Sequence, residues 1–464
     1  MAAGAATYTE QPNRSPWIVQ LAEDGPPQPL ARDTTADLAV VGAGIAGIAT
    51  AYFALQATIG RVVLLERNRV ARGASGRNAG QLTTYFERPL CGIADEFGWE
   101  LAGAAQRDVE GANDLLDQMI AEVGAQVRVE RFPGHMGLYS KNHLEVHLRC
   151  MAIRERVGLR QQECVVSEDA EYLPDLPPEF ASLYSVVPST RVRELLELED
   201  DRYSAVLTAP AGAANCGLFC QLVLGHLTRT YGERFAYADC TKVGRIVVDD
   251  EHVVVSAGDH RVTAGHVALC TNGYVDHQVE DTSGGAVQLG PHQRITGRVG
   301  YMSAFVEEET RTPAAISYIN NTTIGGDTVS GDIPYAYVTR RTYDLDGEDV
   351  TLTCMGGPDL GFQGETYRAE APVPARVLQA IDDEVRPFAQ PLRPAGRPYD
   401  FHWHGLMGYN ESLVRVVGPH PRHPRLLYNL GCNGVGFLAS IHGGQRLARI
   451  LAGDRPPASI FDPR

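Results

Sequence analysis

The sequence predicts an α/β protein in which a Rossmann-like parallel sheet is joined by a second, largely antiparallel sheet. Three observations predict it. A strand–turn–helix–strand pattern with glycines at its first turn occupies 37–66. Buried-strand and helix patterns of the same kind return at 213–275 and 401–464. Between them, 276–400 alternates apolar and polar residues with a period of two, most clearly at 298–305 and 335–342, as half-buried antiparallel strands do.

The first unit is legible residue by residue. Positions 37–41 (DLAVV) read as a parallel strand apolar on both faces. The turn 42–47 (GAGIAG) follows at once, then an Ala-rich helix over 45–57 and a second strand over 61–66 ending in an acid. Gly42 permits the tight turn, Gly44 lets the backbone approach a diphosphate, and Gly47 lets helix and strand pack closely. The helix start around Ile45 and Ala46 offers unpaired N–H groups and partial positive charge to phosphate. Glu66, 19 residues beyond Gly47 and next to Arg67, is placed to accept hydrogen bonds from a ribose diol. With strand, helix and acid all in register, this is a Rossmann-like dinucleotide site, though the fingerprint alone separates neither NAD from FAD nor one reaction from another.

The stretch 38–60 has no charged residue and is long enough to raise a membrane span. Its β-branched run, three glycines and scattered polar residues fit a strand, a turn and a packed helix instead. The N-terminal residues (MAAGAAT) lack a basic region and an apolar core, so no signal peptide is expected.

Composition narrows the class of partner. The chain has 464 residues, enough for two or three domains, with 44% hydrophobic and 21% charged residues, as in a globular protein with a full core. Its net charge of −16 opposes nucleic-acid binding, which needs a basic footprint. Nine scattered cysteines without a CxxC pair form no disulfide framework, so a reducing, cytoplasmic setting is expected. Cys216 and Cys220 at helical spacing read as core.

The segment 72–81 (RGASGRNAGQ) combines small residues, a hydroxyl, an amide and two guanidiniums. Such a loop suits close contact with a flat, charged ligand: Ser75, Gly76, Arg77, Asn78, Ala79, Gly80 and Gln81 are the candidates. A dinucleotide fingerprint followed by this loop resembles the FAD-dependent oxidoreductases of the D-amino acid oxidase-like superfamily, and within it the gamma-glutamylputrescine oxidase-like branch. The approach segment around 15–17 (SPW) resembles that branch's N-terminal arm. The likeness continues in order: a helix within 215–232, a short strand around 241–243 that places Val243 near the adenine, a strand at 266–270 with the turn Thr271, Asn272, Gly273 and Tyr274, and a closing segment at 403–407 and 426–451.

The resemblance implies a discontinuous FAD-binding domain (36–90, 213–275 and 401–464), a substrate domain (91–212 and 276–400) and an arm (1–35). It implies flavin contacts from Gly434, Val435 and Gly436. It implies hydride transfer from a carbon bonded to nitrogen, giving an imine that hydrolyses, with oxygen as acceptor and a small amine or amino acid as substrate. A dehydrogenase with another acceptor, a flavin-binding homologue without turnover and an NAD enzyme are the alternatives. Two departures stand out: 431–436 reads GCNGVG where many relatives carry Gly-His-Gly, and the usual Pro is missing from 411–418 (ESLVRVVG), which holds Arg415. Relatives that tether FAD use a His or Cys at places occupied here by Arg77, Asn78, Leu406 and Met407, so dissociable FAD is expected.

No catalytic acid or base is assigned. Substrate-contact candidates are Tyr335, Tyr337 and Arg341, which share one strand face, whereas Arg340 faces away. Core packing for the tyrosines and a solvated surface for the arginines are the commoner roles. His402 and His404 are too few for a metal site, and no metal is expected. His442 with Gly443 and Gly444 is expected to interrupt the final helix.

Overall fold

The computed structural model describes residues 12–124, 126–199, 201–319, 335–361, 367–379, 381 and 399–464. Among them, two sheets carry the fold, one of nine strands and one of ten. The first runs Gln278–Asp281, Val243–Val248, Val253–Ala257, His260–Leu269, Thr34–Val41, Val62–Leu65 and Phe235–Ala238. Leu426–Leu430 joins it parallel to the end of His260–Leu269, and Val416–Pro419 pairs beyond that. The central strands are parallel and buried on both faces, which is why 38–41 and 62–65 are uniformly apolar.

The helix Ile45–Gln56 is buried from Ile45 to Leu55, sandwiched between this sheet and the C-terminal helix Gly436–Leu451. The C-terminal helix is unbroken, contrary to the expectation that His442 interrupts it. Its glycines serve close packing. A Cβ on Gly444 would lie 2.6 Å from the Ala49 backbone, and one on Gly443 would lie 2.2 Å from the Asn429 side chain, so only glycine lets the helix cross here.

Helical patterning from 94 onward resolves into two helices, Leu90–Phe97 and Trp99–Val123, hinged at Gly98 with φ +85°. Their apolar faces join the core beneath Ile45–Gln56 and Gly436–Leu451. They also meet the helix Lys141–Arg156, where the Cys91 N–H donates to Cys150 Sγ at 3.3 Å, Arg149 pairs with Asp95 at 3.0 Å and Arg154 with Glu110 at 2.8 Å, so they lie between the first-sheet helices and the second unit to which the sequence boundary at 91 assigns them.

The second sheet runs Phe401–Tyr409, Thr296–Val306, Glu348–Gly361, Tyr335–Leu345, Ala314–Ile319, Val129–Leu138, Ala205–Ala214, Glu163–Ser167 and Ser185–Val187, with Gln81–Leu82 on Ala205–Ala214. Most pairings are antiparallel, as the alternation predicts. Phe401–Tyr409, expected to close the nucleotide domain, lies here: it pairs antiparallel with Thr296–Val306 from Thr296–Tyr409 to Ala304–Phe401. Conversely, Gln278–Asp281 belongs to the first sheet. The expected strand at 241–243 is displaced: Thr241 and Lys242 are irregular and the strand begins at Val243.

The N-terminal arm is tied down. Arg14 bridges to His402, the Ser15 hydroxyl donates to the Gly76 carbonyl, and Trp17 is fully buried.

Candidate active site

A cavity of about 570 Å³ lies between the carboxyl ends of the parallel strands and the second sheet. Val41, Leu65 and Cys270 line it from the first sheet; Gly300, Tyr301, Met302, Tyr337 and Met407 line it from the second. Open parallel sheets bind their ligands at this end.

The glycine turn is a cradle that side chains would fill. Gly42 has φ +104°, and a Cβ there would sit 2.7 Å from the Cys270 carbonyl oxygen. A Cβ on Gly44 would lie 2.8 Å from Ser75 Oγ, and one on Gly47 only 1.7 Å from the Gly42 carbonyl oxygen. Gly42, Gly44, Ile45 and Ala46 line the cavity, whereas Gly47 serves packing behind it. Ser75 Oγ accepts from the Ile45 N–H at 2.9 Å, joining the two phosphate-type loops.

Glu66 lines the cavity with its carboxylate accepting from the Ala43 N–H at 2.7 Å and the Asn68 N–H at 2.9 Å. Burial pushes this carboxyl above its ordinary range, against the downward pull of those two donors. Arg67 lies over the Tyr274 ring at 4.8 Å and pairs with Asp276 at 2.9 Å; Lys242 shares that carboxylate at 2.7 Å. With Val243 they line one end of the cavity.

The loop 75–81 is held from behind. The Asn78 carbonyl accepts from the Trp17 indole at 2.6 Å and the Trp403 indole at 3.3 Å. Asn78 Oδ1 accepts from the Gly80 N–H at 2.8 Å. Ser75, Arg77, Asn78, Ala79 and Gln81 line the cavity; Gly76 packs on Ala71 and Ile18, and Gly80, with φ +71°, on Trp17 and Arg341. Arg77 is almost wholly buried. Its Nε and Nη1 have no hydrogen-bond partner among the described residues, and Nη2 approaches Glu370 at 3.6 Å.

Thr271 and Asn272 line the cavity. Thr271 Oγ1 is buried without a partner among the described residues. Asn272 Oδ1 accepts from the Gly408 N–H at 3.2 Å and the Cys432 N–H at 3.1 Å, tying three segments together. Gly273 packs against the Met407 carbonyl. Gly434, Val435 and Gly436 bring the start of the C-terminal helix to the cavity wall.

The substrate-side candidates divide. Tyr337 lines the cavity, with its hydroxyl donating to Met302 Sδ at 3.4 Å. Arg341 does not line it. Its guanidinium lies over Trp17 at 4.7 Å, and burial pulls its pKa down to about 10. Arg340 faces the other way into a two-point pair with Glu197 at 2.9 and 2.6 Å. The Tyr335 side chain is outside the described residues.

His402 contacts Ser303 Oγ at 2.8 Å. His404 Nε2 lies 2.8 Å from the Ala371 carbonyl, which can only accept, so that nitrogen carries the proton and Nδ1 accepts from the Tyr367 hydroxyl at 3.0 Å. Among the described residues no three metal-ligating side chains cluster.

Several lining residues escaped sequence reasoning: Thr83, Tyr85, Tyr301, Tyr367, Cys432 and Arg415, the last noted only as a departure from pattern. Gln81, Thr83 and Tyr85 alternate into the cavity, a period-two signal readable from the loop outward.

A family model described as FAD dependent oxidoreductase (DAO) matches residues 37–450. The chain belongs to this family of FAD-dependent oxidoreductases. A 73-residue segment is 38% identical to the gamma-glutamylputrescine oxidoreductase of Escherichia coli (strain K12), spanning 16% of this chain and 17% of that relative. Among solved structures, glycine oxidase from Geobacillus kaustophilus is similar with a TM-score of 0.63 at 15% identity, covering 92% of this chain and 98% of that one. The L-alpha-glycerophosphate oxidase from Mycoplasma pneumoniae, with FAD bound, is similar with a TM-score of 0.59 at 14% identity, covering 90% and 94%. These likenesses establish the fold of a DAO-family oxidoreductase. In this family member, no helix among the described residues is long and apolar enough to cross a membrane.

The residues present fit FAD. The Gly42–Gly44 cradle has no room for side chains, two Arg77 nitrogens and the Thr271 hydroxyl are buried without partners among the described residues, and the Glu66 carboxyl lines the same cavity.

Proposed function

We propose that the chain is an FAD-dependent oxidase of a small amine or amino acid, with the amine favoured. The observation that carries this is the joining, in one cavity, of a dinucleotide cradle and an aromatic roof from a second sheet. Bound FAD supplies the hydride acceptor: the substrate C–H next to nitrogen is oxidised to an imine, which water hydrolyses, and oxygen takes up the electrons.

The chain's own residues bind and orient. Gly44 and Ala46 present N–H groups of the helix start to the diphosphate, while the Gly42 and Ile45 N–H groups, held by the Leu65 carbonyl and Ser75 Oγ, fix the shape of the turn. Glu66 accepts from ribose hydroxyls, with Arg67 and Val243 on the adenosine side. Ser75, Arg77, Asn78, Ala79 and Gln81, with Thr271, Asn272, Gly434, Val435 and Gly436, meet the flavin half. Gly47, Gly76, Gly80 and Gly273 act through packing. Tyr301, Met302, Tyr337 and Tyr367 wall off water and shape the substrate end.

The preference for an amine rests on the likeness to a gamma-glutamylputrescine oxidoreductase, and Arg341 does not oppose it. An arginine facing the flavin from this strand would anchor a carboxylate, but Arg341 is withdrawn beneath the loop against Trp17. The FAD is proposed to be non-covalent, so acid precipitation should release it.

Anaerobic titration of the purified protein with primary amines, secondary amines, gamma-glutamyl amides and amino acids tests the reading. Bleaching of the flavin by an amine, with colour and hydrogen peroxide returning on admission of air, is expected. Bleaching by no C–N substrate overturns it, and slow recovery in air makes the protein a dehydrogenase.

A further inference from the structure

Asn429, on Leu426–Leu430, donates from Nδ2 to the Ala46 carbonyl at 3.3 Å and the Ser440 carbonyl at 3.0 Å, bridging the first turns of the helices Ile45–Gln56 and Gly436–Leu451. Its own oxygens hold Arg415: Nε donates to Asn429 Oδ1 at 2.7 Å and Nη2 to the Asn429 carbonyl at 2.9 Å. Arg415 is thereby fixed with two edges of its fork occupied. Nη1 has no partner among the described residues and lies 3.9 Å from where a side chain on Gly436 would begin.

Arg415 is 6% exposed and lines the cavity. No carboxylate pairs with it among the described residues; its polar surroundings include Asn429, the thiols of Cys432 and Cys270, and His442. Burial pulls its pKa down to about 10, so it remains charged at neutral pH. A buried guanidinium without a counter-charge is costly unless an anion arrives. Both neighbouring helix starts, Gly44 and Val435, lack a side-chain cap from their own N-cap residue, and although Ser75 Oγ takes the Ile45 N–H, the two helix dipoles add to the same positive region. Glu66 is occupied by backbone donors at the glycine turn, and Glu87, whose Oε2 lies 3.1 Å from where a Cβ on Gly434 would sit, makes no pair with Arg415 among the described residues.

We infer that Arg415 is a diphosphate-binding residue, giving the dinucleotide site a full positive charge wedged between two helix N-termini and pre-aimed by Asn429. The dinucleotide here is the FAD of the proposed function, on which this inference rests. It lies in the stretch where the sequence departs from its relatives by lacking the usual Pro.

The test measures flavin binding to the full-length chain, stripped of cofactor and retitrated, for wild type, Arg415→Met and Arg415→Lys. FAD and riboflavin, which has no phosphate, are the two probes. Losing one charge-assisted hydrogen bond predicts about 10- to 100-fold weaker FAD binding in R415M. R415K recovers part of it, and riboflavin affinity stays within about twofold of wild type. In the wild type, ADP should displace FAD far better than adenosine does, a result that needs no variant to fold. Unchanged FAD affinity in R415M, an equal loss for riboflavin, or equal competition by ADP and adenosine overturns the inference while leaving FAD binding intact. A wild type that takes up no FAD overturns the proposed function itself.

Discussion

Replacing Trp17 with Phe tests whether the N-terminal arm holds the cofactor loop. Trp17 is fully buried, and its ring contacts Trp403 edge-on at 6.4 Å and carries the Arg341 guanidinium at 4.7 Å. Its indole N–H donates to the Asn78 carbonyl at 2.6 Å. Phe keeps most of the apolar volume and removes that donor. The carbonyl is not orphaned, because Trp403 also reaches it at 3.3 Å. The loss therefore falls near the low end for a buried hydrogen bond, about 1 kcal/mol. Asn78, Ala79 and Gln81 line the cavity, so loosening this loop is felt by the ligand, at most about fivefold in FAD affinity. W17A adds a cavity and should cost about 3–5 kcal/mol of stability. Flavin fluorescence titration and thermal unfolding of W17F, W17A and W403F give the readout, with W403F, which loses the longer bond, milder than W17F. Wild-type FAD affinity and unfolding temperature in both W17F and W17A would refute the reasoning, since a fully buried Trp on a cofactor loop cannot then be its support.

Other expectations follow from the same geometry. Gly47→Ala puts a methyl 1.7 Å from a backbone oxygen and should yield insoluble protein, whereas Gly44→Ala meets only the movable Ser75 hydroxyl and should stay soluble with weakened FAD binding, both read by soluble yield and flavin content. Glu66 has its carboxyl pKa raised by burial, and ribose hydroxyls donating to the carboxylate would lower it again. FAD affinity should therefore fall as pH drops through that raised pKa, and titrations of Glu66→Gln should show weaker binding with the pH dependence gone. His143 is fully buried with both ring nitrogens unpartnered among the described residues, and burial pulls its pKa from 6.5 to about 4. The unfolded chain then binds the extra proton, so stability falls as pH drops from about 6.5 to about 4 and levels below; unfolding temperature against pH should show a shallower slope in His143→Leu.

Local chemistry was readable and long-range pairing was not. The cradle at Gly42 and Gly44 and the acid at Glu66 declare themselves because each role depends on neighbours within one βαβ unit. Strand parity set Tyr337 and Arg341 on one face and Arg340 on the other, but parity carries no information about how far along the strand the cavity reaches. That depth is set by Trp17, which is remote in sequence and covers Arg341. Gly76 and Gly80 look like ligand glycines in a string of small residues; their smallness instead admits Ile18 and Trp17 from the arm. The partner of Phe401–Tyr409 was equally hidden, because an apolar strand fits either sheet until its register with Thr296–Val306 is known. Arg415 did carry a signal, a charge inside an apolar run, whose meaning emerges only when Asn429 and two helix starts surround it.

The absorption spectrum of the purified protein, followed by mass analysis of what acid denaturation releases, bears most directly on the whole account. A flavin spectrum with FAD itself in the supernatant is predicted. Protein that is colourless, releases no flavin and stays colourless after incubation with FAD would contradict it.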